Sequence, residues 1–206
     1  TYRLANTEEL KWLETISQNI SRIIEFRSMA KFVEGGTNER ALTQVKAVDN
    51  EYPLIGNVQL ASGKSFKDVF RQPKSAVMES DLASRLGIDI GETFSLGLTK
   101  FVLRDIIQSS PDDAGTNFGF GPRTIVKSED LLDSGLIAPG TLFTAKYRLL
   151  IEPFENLDKL RALAKIKFEN NGMRWRDARN GAPGISEFVS RSVSYTHLRA
   201  HETEAY

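Results

Sequence analysis

The chain has 206 residues, 40% hydrophobic and 26% charged, enough for one large domain or two small lobes with a sizeable core. Lysine and arginine number 27 and aspartate and glutamate 27, so the net charge is zero and the basic excess of a nucleic-acid binder is missing. The absence of cysteine excludes disulfides, zinc–thiolate sites, iron–sulfur clusters and thiol nucleophiles.

Asn6 followed by Glu9 has the spacing of a capping box, and Leu10, Leu13 and Ile16 continue it as an apolar stripe. This predicts a helix over Thr7–Gln18. Ile20–Val33 is rich in β-branched residues, with Ile24, Phe26 and Ser28 on one side, and predicts a strand. A turn at Gly35-Gly36 and a second strand over Ala41–Val48 complete an antiparallel hairpin. Asp49–Pro53 is a break, and Leu60–Ser65 a turn. Ser75–Met78 predicts a short strand, and Ser80 caps a helix that stops at Gly87. Glu92–Leu96 and Lys100–Ile107 form a hairpin through Gly97. A polar, glycine-containing loop spans Ser109–Gly121, and Arg123–Val126 is a strand. Ser128 caps a helix through Leu132, ended by Gly135. Leu142–Ile151 is a strand, and Leu157, Leu160, Ala164 and Phe168 mark an amphipathic helix stopping at Asn171-Gly172. Met173–Asp177 reads as a last strand, and Ile185–Val189 starts another helix. The pattern is α+β, rich in hairpins and short helices. No stretch approaches the ~20 apolar residues of a bilayer-crossing helix.

The segment Val193–Thr203 resembles a translated sequencing-library adapter, so residues 193–206 are expected to be a non-native tail. His197 and His201, at i,i+4 metal-ligand spacing, are the only histidines and both fall in it. The chain opens at Thr1 rather than Met and is expected to be a fragment.

Local candidates for chemistry are few. Ser62-Gly63-Lys64-Ser65 has the end of a phosphate-binding loop, but Val58 stands where that loop needs its first glycine. A hairpin turn is the better reading. Gly115–Gly121 holds Phe118 and Phe120 among three glycines, just before Arg123. Phe118, Phe120 and Arg123 are the candidate contact loop for a partner or apolar ligand, the alternative being phenylalanines tucked under the domain. Asp112 and Asp113, with Asp105, suit acid–base work or a hard cation, but neighbouring carboxylates after Ser-Ser-Pro are more often a solvated turn. Arg174, Trp175, Arg176 and Arg179 form a basic-aromatic cluster suited to lipid headgroups or to plain solvent.

Several segments carry a family resemblance in their order: Glu25–Ala30, Leu42–Asp49, Tyr52–Gly56, Leu86–Glu92, Phe120–Arg123, Arg176–Arg179 and Pro183–Ser186. Together they resemble the periplasmic region of ABC-transporter permeases of the FtsX/MacB type. The branch it most resembles is the large permease that pairs with an ATPase similar to the lipoprotein-releasing one. The resemblance implies a two-lobed periplasmic domain of a bacterial inner-membrane protein. Residues 1–48 with 142–192 would form a porter-like α/β lobe, and 49–141 an inserted antiparallel β-rich lobe. It implies a non-catalytic domain without a cofactor, membrane-tethered through flanking helices. A separate cytoplasmic ATPase subunit would do the work, coupled to export or extraction of hydrophobic or lipidic molecules. A periplasmic partner or a lipidic substrate would be met outside the membrane, and no nucleic acid. A free-standing periplasmic binding or scaffold domain is the alternative.

Overall fold

The computed structural model describes residues 3–34, 37–111, 121–131, 134–137, 141–151, 156–168 and 170–176. Helix α1 (Thr7–Ile16) starts as its spacing predicts. The Asn6 side chain accepts from the Glu9 N–H and the Glu9 carboxylate accepts from the Asn6 N–H, each at 2.8 Å. That carboxylate also holds the Arg3 guanidinium at 2.6 and 2.8 Å. Its hydrogen bond keeps the Arg3 pKa above the ordinary value, against the opposite pull of burial. Leu13 is buried and Leu10 and Ile16 half-buried, so the stripe faces inward.

Strands β1 (Asn19–Glu34) and β2 (Thr37–Val48) pair antiparallel from Ile23↔Val48 to Glu34↔Thr37, the expected hairpin. Then come β3 (Gln59–Leu60), α2 (Phe66–Val69), β4 (Ser75–Glu79), α3 (Ser80–Leu86), β5 (Thr93–Leu96), β6 (Thr99–Ser109), β7 (Arg123–Lys127) and β8 (Thr144–Leu150). Along its second edge β1 pairs twice, with β8 over Asn19–Glu25 and with β5 at Ala30 and Lys31. From β5 the ladders run through β6, β4 and β7, and β7 returns to β2. The path β1–β2–β7–β4–β6–β5 therefore closes on itself, with β8 and β3 as added edges.

The β2–β7 and β4–β6 ladders are parallel, so residues 49–141 are not purely antiparallel as expected. Parallel partners lie a crossover apart in the chain, beyond any local pattern of turns. The ring takes β1 and β2 from one expected lobe and β4 to β7 from the other, joined by continuous hydrogen bonding. By compactness, the described residues up to Asn156 form one unit. Helix α4 (Leu157–Phe168) and the residues after it belong to a second.

Two apolar clusters fill the first unit. Inside the ring, Phe26, Phe32, Val45, Met78, Phe94, Phe101, Leu103 and Val126 meet Leu82 and Leu86 of α3. Side chains alternate across a strand, so Ile23 and Val48 face outward. There Tyr52, Val58, Phe66 and Phe70, from the segment after β2, cover them in a second cluster.

Smaller expectations shift. Ser80 is the first residue of α3 and not its cap; Glu79 holds that position, with its carboxylate turned to Arg123. Gly87 ends α3 in the left-handed region at φ 65°, as its position predicts. The turn at Leu60–Ser65 forms, Gly63 N donating to Leu60 O at 3.0 Å, but leads into α2 rather than a second hairpin strand. Ser128–Leu131 make a 3₁₀ turn where Ser128 is expected to cap a helix through Leu132, which lies outside the described residues. Residues 173–176 form no strand, because no described residue pairs with them. In the second unit, Ala164 and Phe168 are buried on α4 while Ile166 is 76% exposed, the expected amphipathic face. Asn171 N donates to Phe168 O at 3.1 Å at its end. The helix expected from Ile185 and the tail with His197 and His201 lie outside the described residues.

Candidate functional site

Strand β7 begins at Arg123, whose Nε donates to Glu79 Oε1 at 2.7 Å while its backbone N donates to Glu79 Oε2 at 3.1 Å. A guanidinium fork on one carboxylate fixes direction as well as charge. It locks the start of β7 to the end of β4, its antiparallel neighbour. Just before it, Pro122 O accepts from Gln44 N at 3.0 Å and from the Thr43 hydroxyl at 2.9 Å. The base of the candidate loop is thus tied to β2 and β4. Phe118 and Phe120, like Asp112 and Asp113, lie outside the described residues. Of the three residues proposed for contact, Arg123 alone is placed, and its guanidinium is engaged by Glu79.

The expected turn around Ser62 has a structural use. Asp105, fully buried, accepts from the Ser62 hydroxyl, from the Ser62 N–H at 3.2 Å and from the Ile106 N–H at 2.8 Å. Three donors take most of the roughly four acceptor sites of a carboxylate and hold it in place. It pins the turn to β6. A second buried polar chain runs Lys46 Nζ to Tyr52 Oη at 3.1 Å, and Tyr52 Oη to Ser110 Oγ at 3.2 Å. Lys46 also sits 4.9 Å from the centre of the Tyr52 ring.

A recess of about 440 Å³ lies where α1 meets β1 and β8. Leu10 and Glu14 line it from α1, Gln18, Asn19, Ile20 and Arg22 from the chain entering β1, and Asp49 and Tyr147 from across. Asp49 accepts from the Ser21 hydroxyl at 2.8 Å and from the Arg22 N–H, closing the base of β1. Arg22 Nε is buried and has no hydrogen-bond partner among the described residues. Neither Glu79, Asp49 nor the Lys46–Tyr52 chain stands out in the sequence. Each is an ordinary strand-end or loop residue until the ring brings its partner alongside. Among the described residues no three metal-ligating side chains gather. No helix among them is long and apolar enough to cross a membrane.

The polar groups that are placed here tie strands and turns to one another on a closed sheet. The profile of the MacB-like periplasmic core domain family matches residues 2–164, and the chain belongs to that family. It is a periplasmic domain of a bacterial inner-membrane ABC-transporter permease. An Escherichia coli (strain K12) protein, the uncharacterized ABC transporter permease YbbP, is 27% identical over 138 residues. That alignment takes in 66% of this chain but 16% of the relative's length. Among solved structures, the extracellular domain of the noncanonic ABC-type transporter YknZ from Gram-positive bacteria aligns with TM-score 0.56 and 11% identity. It covers 82% of this chain and 86% of that one. The periplasmic region of MacB from Actinobacillus actinomycetemcomitans aligns with TM-score 0.54 and 10% identity, over 84% and 77%. At such identities the likeness is one of fold.

Proposed function

We propose that this domain is the mechanical element of its permease. In this reading a separate cytoplasmic ATPase subunit binds and hydrolyses ATP, and its closure moves the membrane helices. The domain tilts in response, helping to export or extract hydrophobic or lipidic molecules. ATP binding shifts the position only as far as the two positions differ in their affinity for the closed state. The observation that supports this most is β1. It is 16 residues long, bonded to β2 on one edge and to β8 and then β5 on the other. A strand held on both edges transmits displacement from the end where the chain enters to the far end of the ring. The two expected lobes, 1–48 with 142–192 and 49–141, then share this strand pair and the ring rather than touching at a separable interface. The contact loop with Phe118 and Phe120, anchored at Arg123, is proposed to meet the partner or lipidic substrate.

The test uses the intact permease with its ATPase in lipid vesicles. Spin labels at the exposed positions Lys11 and Lys67 report distance to one another and depth from a lipid-bound relaxation agent. The expected result is a depth change at both labels on ATP binding. Depths that stay constant through the ATP cycle of an actively transporting complex would overturn the reading. The Lys11–Lys67 distance shows whether the lobes also move against each other.

A further inference from the structure

We propose that the outer face of the far half of the β1–β2 hairpin docks an acidic, amphipathic segment of a second protein. This deepens, and rests on, the reading of the domain as a periplasmic module that meets a partner. The register sets what this face carries. Met29 stands opposite Leu42, Lys31 opposite Arg40 and Val33 opposite Asn38. Ala30 and Phe32, between them, are 0% and 5% exposed and face the ring interior, so Met29, Lys31 and Val33 face out. Along the other edge Lys31 is level with Ser95, and Ser95 with Lys100. One row across four strands therefore reads Arg40, Lys31, Ser95, Lys100, its three cations exposed.

No carboxylate stands in these paired rows. Like charges directly opposite one another destabilise a ladder. Nothing about folding demands Arg40 opposite Lys31. Beside the cations lie Met29, Leu42 and Val33, at 41%, 47% and 67% exposed. A cationic row flanking an apolar row complements a segment with carboxylates along one edge and apolar side chains along the next. A bilayer fits the position less well. Helix α1 leads into β1 at Asn19, and β8 returns to Leu150 opposite Asn19, so the chain enters and leaves the sheet at that end. Lys31 lies further along β1 by about 40 Å at the strand rise of ~3.3 Å per residue. A domain tethered through its chain ends holds this face away from the membrane.

The probe is a helical peptide of roughly 18 residues with leucines along one face and glutamates flanking them. It is titrated into the isotope-labelled 206-residue chain. The expected result is amide shifts confined to residues 29–33, 38–42 and 95–100, with micromolar affinity that falls as salt rises. Replacing Lys31→Ser, Arg40→Ser and Lys100→Ser together weakens binding about tenfold, and Met29→Ser with Leu42→Ser does the same. Arg40→Glu separates binding from folding. It puts a carboxylate opposite Lys31, so the unfolding midpoint holds or rises while peptide affinity drops. Shifts centred elsewhere, or equal binding of a peptide with lysine in place of glutamate, overturn the proposal. So do vesicles of phosphatidylglycerol and phosphatidylethanolamine that perturb these amides when the peptide does not. Failure here leaves the bilayer-depth result untouched, because that measurement does not involve this face.

Discussion

The near and far halves of β1 are built from similar residues but live in different surroundings. In the near half both faces are covered: Ile24 looks into the ring and is 3% exposed, while Ile23 looks outward and is 0% exposed. In the far half the inward residues Ala30 and Phe32 stay buried, but outward Met29 and Val33 are 41% and 67% exposed. The difference is the segment after β2. Tyr52, Val58, Phe66 and Phe70 fold over the base of the hairpin and end there. A strand's outer face is core or surface according to what the rest of the chain lays on it, and the same kind of side chain serves as ballast in one half and as contact surface in the other.

That contrast is open to measurement by denaturant unfolding. The largest effect is expected from Ile23→Ala, which empties a fully covered outward position and costs about 2–5 kcal/mol. A loss under 1 kcal/mol would mean the outer cluster packs loosely. Asp49→Ala comes next. It removes the acceptor for the Ser21 hydroxyl and the Arg22 N–H at the base of β1 and is expected to cost about 1–3 kcal/mol. Hydrogen exchange should localise the loosening to the near half. Met29→Ala, on the same outward face in the far half, should change stability by no more than about 0.5 kcal/mol. A larger loss would place an unrecognised covering element over the face proposed for docking.

Most elements were legible because their signals are local. The Asn6–Glu9 spacing, the glycine stops at Gly87, Gly97 and Gly172, and the period-two burial of β1 and β6 involve residues a few positions apart. Gly97 shows how tight such a signal becomes. At φ 56°, a Cβ there would stand 2.5 Å from the Ser134 backbone oxygen. The larger misreadings were long-range. That β7 lies parallel to β2, and β4 to β6, follows from no turn or period. The carboxylate of Glu79, at the end of β4, is taken by Arg123, 44 residues later. The same limit applies to the sites: Arg123 was picked out by its loop, while its partner Glu79, the Asp49 latch and the Lys46–Tyr52–Ser110 chain join residues from distant parts of the chain.

By itself, then, the order of amino acids determined the α+β character, the β1–β2 hairpin, the amphipathic faces of α1 and α4, and a resemblance that the family match bears out. Those are properties of short-range spacing and composition. Tertiary structure alone decided that the strands close into a ring across the expected lobe boundary, and which outward residues are sealed. It also set Lys31, Arg40 and Lys100 in one exposed row. Such arrangements depend on loop closures over tens of residues, whose free energy is settled by the packing of the whole ring and is written in no single segment.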